Sequence, residues 1–368
     1  MGSRNLRAVL ADKLRARIAA DGPMPFEEYM AACLYDADGG FFTAGPLRSV
    51  KEGDFLTSPE VSSWFGRTLA RFVEQVSSPV GGRAAEGGGG GFLVVDVGAG
   101  SGSLLEPLIE ELGGGYSFHA VEASPAAREA LAEIVGADHV HASIDDLPRR
   151  FIGVVIANEL LDNLPVALAV RSGDGWTERW VDASEKGFEF IAAEARDDVR
   201  SWCNAYAGTV PEGGMVEVQL LAEAWVGSIL DRIETGALVV IDYGGIAEEL
   251  EPRRTQGTLR TYRRHHLGPD PLLEPGATDV TVDVNFTALI AAAEDAGAQV
   301  MLHRQDDFLA DLGLRDEVRE LHHRELELAK GDDAMARLKV RSERTDADAL
   351  LHPRGLGDFR VMLVGTGE

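Results

Sequence analysis

The residues with the clearest chemical potential lie in the segment IANELLDNLPV, residues 156–166. Glu159 and Asp162 stand three positions apart, so a helical turn would place both carboxylates on one face. Paired carboxylates suit a cation, and a guanidinium presents the fork of N–H donors that carboxylates bind well. A capped turn with two solvated acids is the simpler alternative. Asn158 precedes the pair and is a candidate for supporting a bound cofactor or the reacting geometry.

A glycine-rich loop, VVDVGAGSGSLL at residues 94–105, is the second chemical motif. Gly98, Gly100 and Gly102 allow the backbone to turn sharply and to approach a ligand that a Cβ would push away. The dinucleotide fingerprint requires its third glycine at position 103, where this chain has serine. The spacing G-x-G-x-G resembles instead the S-adenosylmethionine loop of class I methyltransferases.

Two acids that follow the next strands extend this cofactor hypothesis. Glu122 ends the run HAVEAS, where a carboxylate can accept hydrogen bonds from both hydroxyls of a ribose. Asp145 follows HVHAS, where it could meet an adenine amino group. For each of them a solvated acid at the end of a strand is the alternative, and that alternative has more weight for Asp145 than for Glu122. NAD binding would explain Glu122 as well, so the glycine spacing decides between the two cofactors.

An open α/β sheet must position these motifs. Apolar runs such as FLVVDV, YSFHAV, FIGVVIAN, ALVVIDYG and FRVMLVGT alternate with helical stretches. Continuous apolar strands of this kind predict a mostly parallel sheet covered on both faces, which is a doubly wound α/β domain. Ligands of such domains bind beyond the carboxyl ends of the strands, where the glycine loop and Glu159 both fall.

The pattern along the chain predicts three parts. Helical periodicity near the N-terminus favours a first helix over a targeting signal, and residues 1–80 are predicted to form a helical cap or lid. The glycine run at 81–91 marks a boundary. Residues 92–166 and 236–368 then form the sheet domain. Residues 167–235, with the alternating runs WTERWVDA and FEFIAAEA, are predicted to be an inserted subdomain that faces the substrate.

Composition excludes several classes of protein. The formal net charge of -26 disfavours nucleic acid as a partner, because such binding depends on clustered Lys and Arg. Only Cys33 and Cys203 are present, which indicates a reducing compartment, and we expect a cytoplasmic location. The apolar runs are strand-sized, so no membrane span is expected. His322 and His323 have no context of a metal site, and no metal is predicted.

Several motifs together resemble the MidA-type methyltransferases, whose mitochondrial members are arginine methyltransferases needed for assembly of respiratory complex I. The resemblance spans almost the whole chain. It is carried by GPMPFEEYM, GDFLTSPEVSSWFG, DVGAGSGSL, ANELLDNLPV, VVIDYGG and GTLRTYRRH. It implies a Rossmann-like, mostly parallel seven-stranded class I sheet with S-adenosylmethionine as cofactor. It also implies a protein substrate, an arginine on a complex I-like NADH:quinone oxidoreductase subunit, and symmetric homodimers.

The resemblance also implies further site residues. Thr57 and Ser58 would close over the methionine end of the cofactor, with simple helix capping as the alternative. Arg260, Tyr262 and His265 in GTLRTYRRH would bind the acceptor, unless the segment is a surface loop. Tyr243 at the end of VVIDYGG would line the same cleft.

Departures from the family pattern fall on the acceptor side. Where the family tends to read D-L-T-A-H-V-D-F, this chain has DVTVDVNF, so Asp283 replaces a histidine and Asn285 an acid. The usual Ser-Pro after Glu217 is also absent. Glu159 and Asp162 remain the candidate catalytic residues, because methylating a guanidinium requires acids that orient it and take a proton. A small-molecule O- or N-methyltransferase and a non-catalytic factor that binds the cofactor for stability stay open as alternatives.

Overall fold

The computed structural model describes residues 3–44, 57–78, 91–263 and 266–367, so most of the glycine run lies outside it. The α-helices are α1 Ser3–Asp21, α2 Phe26–Tyr35, α3 Ser58–Val61, α4 Trp64–Ser77, α5 Leu105–Leu112, α6 Pro125–Val135, α7 Asp197–Tyr206, α8 Leu220–Leu230, α9 Ala247–Leu250, α10 Phe286–Asp295, α11 Gln305–Asp311, α12 Leu314–Leu328 and α13 Ala334–Leu350. The strands are β1 Met24–Pro25, β2 Phe92–Val97, β3 Tyr116–Val121, β4 Val140–His141, β5 Phe151–Asn158, β6 Ala167–Ser172, β7 Gly175–Ser184, β8 Gly187–Glu194, β9 Met215–Val218, β10 Ile233–Asp242, β11 Gly244–Gly245, β12 Arg260–Arg263, β13 His266–Leu267, β14 Asp279–Thr281, β15 Val284–Asn285, β16 Gln299–Arg304 and β17 Arg360–Thr366.

A seven-stranded sheet forms the centre of the fold, in the order β16-β17-β10-β5-β2-β3-β4. The strands from β10 to β4 run parallel, whereas β17 is antiparallel to both of its neighbours. The predicted mostly parallel α/β sheet is therefore confirmed. The chain proceeds from β2 outward to β3 and β4 and then returns to β5 on the other side of β2. This reversal places a ligand crevice between the carboxyl ends of β2 and β5.

Alternate residues of the central strands face two apolar layers. Val94 and Val154 belong to the layer formed with α4, α5 and α11 to α13, while Val95 and Val155 belong to the layer formed with α8 and α10. Both faces are covered, which explains why the strands are continuously apolar rather than alternating. A Cβ on Gly236 of β10 would lie 1.8 Å from the Gly153 carbonyl oxygen on the neighbouring strand β5, so the close approach of the two strands requires glycine.

A second, antiparallel sheet is built from β1, β7, β6 and β9, with β8 paired to β7. The predicted pairing of the two alternating runs is thereby confirmed, as is the first helix, α1. Helices α1 and α2 pack on one face of this sheet and α7 packs on the other. Helix α8 also lies within the segment 167–235, but it packs against the central sheet beside α10.

A third sheet of three short strands, in the order β13-β12-β14, follows β10 in the chain. It contains Arg260–Arg263 of the motif GTLRTYRRH, for which a surface loop is the alternative interpretation. Its strands are only two to four residues long, too short to show a periodic pattern. Among the helices of the described ranges, none is both long and apolar enough to span a bilayer.

Replacement of Asn285 tests how α10 is anchored. The Asn285 Oδ1 accepts hydrogen bonds from the amides of Thr287 (3.1 Å) and Ala288 (3.4 Å), and its Nδ2 donates to the Tyr206 carbonyl (2.8 Å). We expect Asn285→Ala to lower the free energy of unfolding by about 1–3 kcal/mol, because a helix cap is lost and buried groups lose partners. Asn285→Asp keeps the capping oxygen but loses the donor to the Tyr206 carbonyl, so its stability should fall between those of the other two proteins. Urea denaturation followed by circular dichroism measures both, and equal stability of all three proteins would contradict the role of the cap.

Candidate active site

A cavity of about 390 Å³ opens at the carboxyl ends of β2 and β5. Its wall combines the glycine loop, the end of β3, the beginning of α6, the residues that follow β5, and aromatic side chains from three segments. The lining residues that matter most for the chemistry are Tyr35, Phe42, Thr57, Gly98, Gly100, Glu122, Ala142, Glu159, Asp162, Tyr243 and Tyr262.

The glycine loop is held open by its backbone conformation and by Glu122. Gly98, Gly100 and Gly102 have φ values of 78°, 53° and 84°, which favour glycine. The amide of Gly100 donates to the Glu122 Oε2 (2.8 Å), and the amide of Ser124 donates to the Glu122 Oε1 (2.8 Å). Glu122 thus ties the loop to the beginning of α6.

The glycines of this loop serve two different purposes. A Cβ on Gly102 would lie 2.4 Å from the Ile134 Cδ1, so this glycine permits packing against α6 and does not line the cavity. A Cβ on Gly100 would meet only the Gly98 carbonyl oxygen, at 3.9 Å, and Gly100 lines the cavity. The open side of Gly100 is therefore available to a ligand.

Glu159 follows β5 and is, in the described part of the chain, the one non-glycine residue with a positive φ, 50°. This conformation costs roughly 1–2 kcal/mol for an L-residue. It is held by the Glu159 amide, which donates to the Ile241 carbonyl (2.8 Å), and by the Oε1, which accepts from the Ser58 amide (3.2 Å) and the Asn158 Nδ2 (3.3 Å). Burial and then the negative charge of Asp162 raise the pKa of Glu159 to about 8.

Asp162 lies in a short 3₁₀ turn, Leu161–Asn163, so the predicted helical turn does not include Glu159. The Asp162 Oδ2 accepts hydrogen bonds from the hydroxyls of Tyr243 and Thr281. The Asp162 Oδ1 is buried and has no hydrogen-bond partner among the described residues. Burial raises the pKa of this carboxyl, and the two hydroxyls oppose that rise. One oxygen of Asp162 is thus left for a ligand.

Asp242, at the end of β10, holds the turn that contains Asp162. Its Oδ2 accepts from the amides of Leu161 (3.0 Å) and Asp162 (3.2 Å), and its Oδ1 accepts from the Tyr243 amide (2.9 Å). Burial, followed by the charges of Asp162 and Glu159, raises the pKa of Asp242 well above its usual value. We call Glu159, Asp162 and Asp242 the acidic cluster. Within the described ranges, no Lys or Arg forms an ion pair with it.

Not every predicted cofactor residue lies at the cavity wall. Asn158 and Ser58 both donate hydrogen bonds to Glu159, but neither of them lines the cavity, whereas Thr57 does. Asp145 lies on a turn with its side chain 82% exposed and forms an ion pair with Arg232 at 2.6 Å. Its placement does not support the predicted contact with adenine. Ala142 occupies the nearby part of the wall instead.

Only some of the residues that were predicted to bind the acceptor lie at the cavity. Tyr243 and Tyr262 of β12 both line the cavity. The Arg260 guanidinium lies 5.5 Å from the centre of the Tyr243 ring and pairs with Asp283, so it supports the wall from outside. His265 lies outside the described residues.

The departures at Asp283 and Asn285 have structural explanations. Asp283 pairs with both Arg253 and Arg260, and Asn285 caps α10. Neither residue lines the cavity. Asp242, which the motif analysis missed, could have been suspected because it is an acid at the carboxyl end of a predicted strand.

The fold and the glycine loop define a methyltransferase that uses S-adenosylmethionine. Residues 65–303 match the model of Methyltransf_28, a family of S-adenosyl-L-methionine-dependent methyltransferases. The chain belongs to that family, and the resemblance found in its motifs is confirmed.

Proteins of known name or structure are similar to this one over most of the chain. A COG1565 superfamily member from Burkholderia thailandensis, solved with S-adenosyl-homocysteine, is similar with a TM-score of 0.84 and 30% identity, over 99% of this chain and 93% of that one. The Drosophila melanogaster protein arginine methyltransferase NDUFAF7 homolog, mitochondrial, is 29% identical over 78% of this chain and 70% of its own length. Human NDUFAF7, mitochondrial, is 25% identical over 92% and 82%.

These names contradict the prediction of a cytoplasmic location, since both of these curated relatives are mitochondrial proteins. The prediction rested on the scarcity of cysteine. A low cysteine count indicates a reducing environment but does not distinguish the cytoplasm from other compartments that keep thiols reduced.

S-adenosyl-L-methionine is the cofactor, and the cavity fits it. The glycine loop leaves room where a Cβ would project, and Glu122 lies at the wall, where its carboxylate can accept hydrogen bonds from ribose hydroxyls. Val97 and Leu160 add apolar surface beside the loop. When bound, the cofactor supplies an electrophilic methyl group on a sulfonium.

Replacement of Glu122 tests this assignment. We expect Glu122→Ala to weaken S-adenosylmethionine binding at least tenfold, on the order of 1.4 kcal/mol, because the loop loses its tie and the ligand loses a charged acceptor. Asp145→Ala is the control, since that exposed acid does not line the cavity. The affinity of this variant for S-adenosylmethionine should stay within about twofold of that of the unchanged protein. Isothermal titration calorimetry measures both. If the Asp145 variant were the weaker binder, the roles of the two acids would be reversed.

Proposed function

We propose that this methyltransferase modifies the guanidinium group of an arginine in a protein. The observation that carries the proposal is the acidic cluster, which is buried at the cavity and has no cationic partner in the described part of the chain. Carboxylates buried without a counter-ion are costly, and they remain protonated or await a cation. A guanidinium matches two carboxylates in shape, charge and number of donors.

The hydrogen bonds already present dictate how the guanidinium would be held. The Asp162 Oδ2 is occupied by two hydroxyls, so only its Oδ1 can accept from the substrate. The Glu159 Oε1 is bound by the Ser58 amide and the Asn158 Nδ2, which directs the Oε2 to the substrate. One oxygen from each acid therefore orients the guanidinium plane and fixes which nitrogen faces the cofactor.

Glu159 also serves as the base in this proposal. Methylation of a guanidinium nitrogen requires that one N–H proton leave, and a carboxylate with a pKa near neutrality accepts it efficiently. Glu159 has a pKa of about 8, whereas Tyr243 has a pKa raised well above its usual value and stays a hydrogen-bond donor to Asp162. The proton then passes from Glu159 to solvent.

Aromatic side chains support the choice of an arginine over a small amine. Tyr35, Phe42 and Tyr262 line the same cavity as the acids. Aromatic faces pack well against the aliphatic stem and the planar head of arginine. No Lys or Arg is among the residues that line the described cavity, so a cationic side chain would meet no like charge there.

The partner we propose is a protein, and in particular a subunit of a complex I-like NADH:quinone oxidoreductase. The names of the relatives above support an arginine in a protein as the substrate, and the resemblance of the motifs supports a complex I-like subunit. The net charge of -26 would also attract a basic partner. We propose further that the helical cap 1–80 and the segment 167–235 frame the acceptor side, and that the protein acts as a homodimer.

Methyl-labelled S-adenosylmethionine tests the proposed substrate. The purified protein is incubated with the labelled cofactor and with a lysate from cells that lack this protein. The protein and small-molecule fractions are then separated. We expect label on a protein, mapped to arginine by mass spectrometry. Label only in the small-molecule fraction would instead identify a metabolite methyltransferase.

The pH dependence of the reaction tests the role of Glu159. Its pKa is raised, so it is protonated below about pH 8 and becomes a base as the pH rises. We therefore expect kcat/KM for the acceptor to rise with pH and to level off above that pKa. Glu159→Gln should lower kcat about a hundredfold and abolish the rise, while the affinity for S-adenosylmethionine is kept.

Glu223→Gln is the matched control for this experiment. Glu223 of α8 is another acid whose pKa burial raises, to about 7, and it does not line the cavity. Its replacement should leave the profile unchanged. An unaltered profile for Glu159→Gln would remove Glu159 from the role of base.

A further inference from the structure

Ser58 and Gln305 form a buried connection to Glu159. Both side chains are fully buried, and the Gln305 Nε2 donates to the Ser58 Oγ (3.2 Å). The amide of Ser58 then donates to the Glu159 Oε1 (3.2 Å). Three segments that are distant in the sequence are thus joined by two hydrogen bonds, and the last acceptor is the carboxylate at the cavity wall.

Gln305 is itself firmly anchored. It is the first residue of α11, and its amide donates to the Phe359 carbonyl (2.8 Å). The Phe359 ring packs edge-on against Tyr243, with 5.7 Å between the ring centres, and Tyr243 donates to Asp162. The beginning of α11 therefore supports both acids of the cavity.

We propose that Gln305 is a positioning residue for Glu159 and acts through Ser58. In this arrangement Ser58 serves the Glu159 carboxylate, not the methionine end of the cofactor. The buried hydroxyl of Ser58 does not line the cavity, and its amide faces Glu159. The proposal rests on the role of Glu159 given above, but the connection can be measured separately from catalysis.

The ionisation of Glu159 reports on this connection. Asp162 on the next turn, Asp242 at the end of β10 and Glu60 on α3 all lie near enough to disfavour its charged form. The Ser58 amide and Asn158 are the groups that favour the charged form and lower the pKa of Glu159. A looser Ser58 must therefore raise that pKa, whereas general destabilisation of the fold would not.

Gln305→Met removes the donor while keeping the volume of the side chain, and it is the main test. The pKa of Glu159 is followed by ¹³C NMR of protein labelled at glutamate carboxyls, with the Glu159 signal assigned by its absence in Glu159→Gln. We expect the midpoint to rise by at least about half a pH unit. We also expect kcat to fall about tenfold with the S-adenosylmethionine dissociation constant unchanged.

Gln219→Met is the matched control, because Gln219 is also buried and its Nε2 donates to a backbone carbonyl, that of Asp283. It should leave the Glu159 midpoint in place. Ser58→Ala removes the acceptor of the Gln305 bond and should reproduce the effect of Gln305→Met. The double variant should show no further rise.

An unchanged Glu159 midpoint in both Gln305→Met and Ser58→Ala would overturn the proposal. A weaker affinity for the cofactor in Ser58→Ala, with the midpoint unmoved, would restore the interpretation of this turn as a lid over the cofactor. A raised midpoint in an enzyme that does not methylate arginine would leave the positioning role intact and refute only the proposed substrate.

Discussion

Three carboxyl groups buried at one end of a parallel sheet, with no basic residue paired to them in the described structure, are the constraint on which the rest of the site depends. Burial of these groups, and repulsion between their charged forms, would disfavour this arrangement unless each were held by directed hydrogen bonds. Asp242 receives three backbone amides, and Asp162 receives two hydroxyls. Glu159 is held in a left-handed conformation that residues other than glycine avoid.

The topology of the sheet makes this convergence possible. Glu159 directly follows β5, Asp162 lies in the next turn, and Asp242 ends β10, the parallel neighbour of β5. The glycine loop follows β2 on the other side of β5. Parallel strands bring their carboxyl ends to one edge, so donors and acceptors from distant parts of the sequence meet there. The small sheet of β12 to β14 closes the edge with Tyr262 and Thr281.

The sequence was informative where one local pattern determines one local structure. The glycine spacing and the apolar strands predicted the sheet and the loop, and the motif after β5 contains Glu159 and Asp162, two of the acids at the cavity wall. It was less informative where long-range contacts decide. Asp145 has the right place in the chain but turns outward to Arg232, and Arg260 stacks behind Tyr243.

Gln305 is a residue whose role the sequence did not predict, because it too depends on long-range contacts. It lies 247 positions from Ser58, and no motif or periodicity marks it. Buried polar residues of this kind are visible only once the fold is known, because their partners come from elements that are distant in sequence. Short strands such as β12 and β13 escaped prediction for a related reason, since tertiary contacts rather than local pattern stabilise them.

The raised pKa of Glu159 has a thermodynamic consequence for the arrival of a substrate. With a pKa of about 8 this carboxyl is mostly protonated at neutral pH, so a cation that pairs with its charged form displaces the proton. Binding is then an exchange of a proton for a cation, and the net charge of the cavity scarcely changes. The proton released from Glu159 is taken up by the buffer. The measured heat of binding therefore depends on the ionisation enthalpy of the buffer that is chosen.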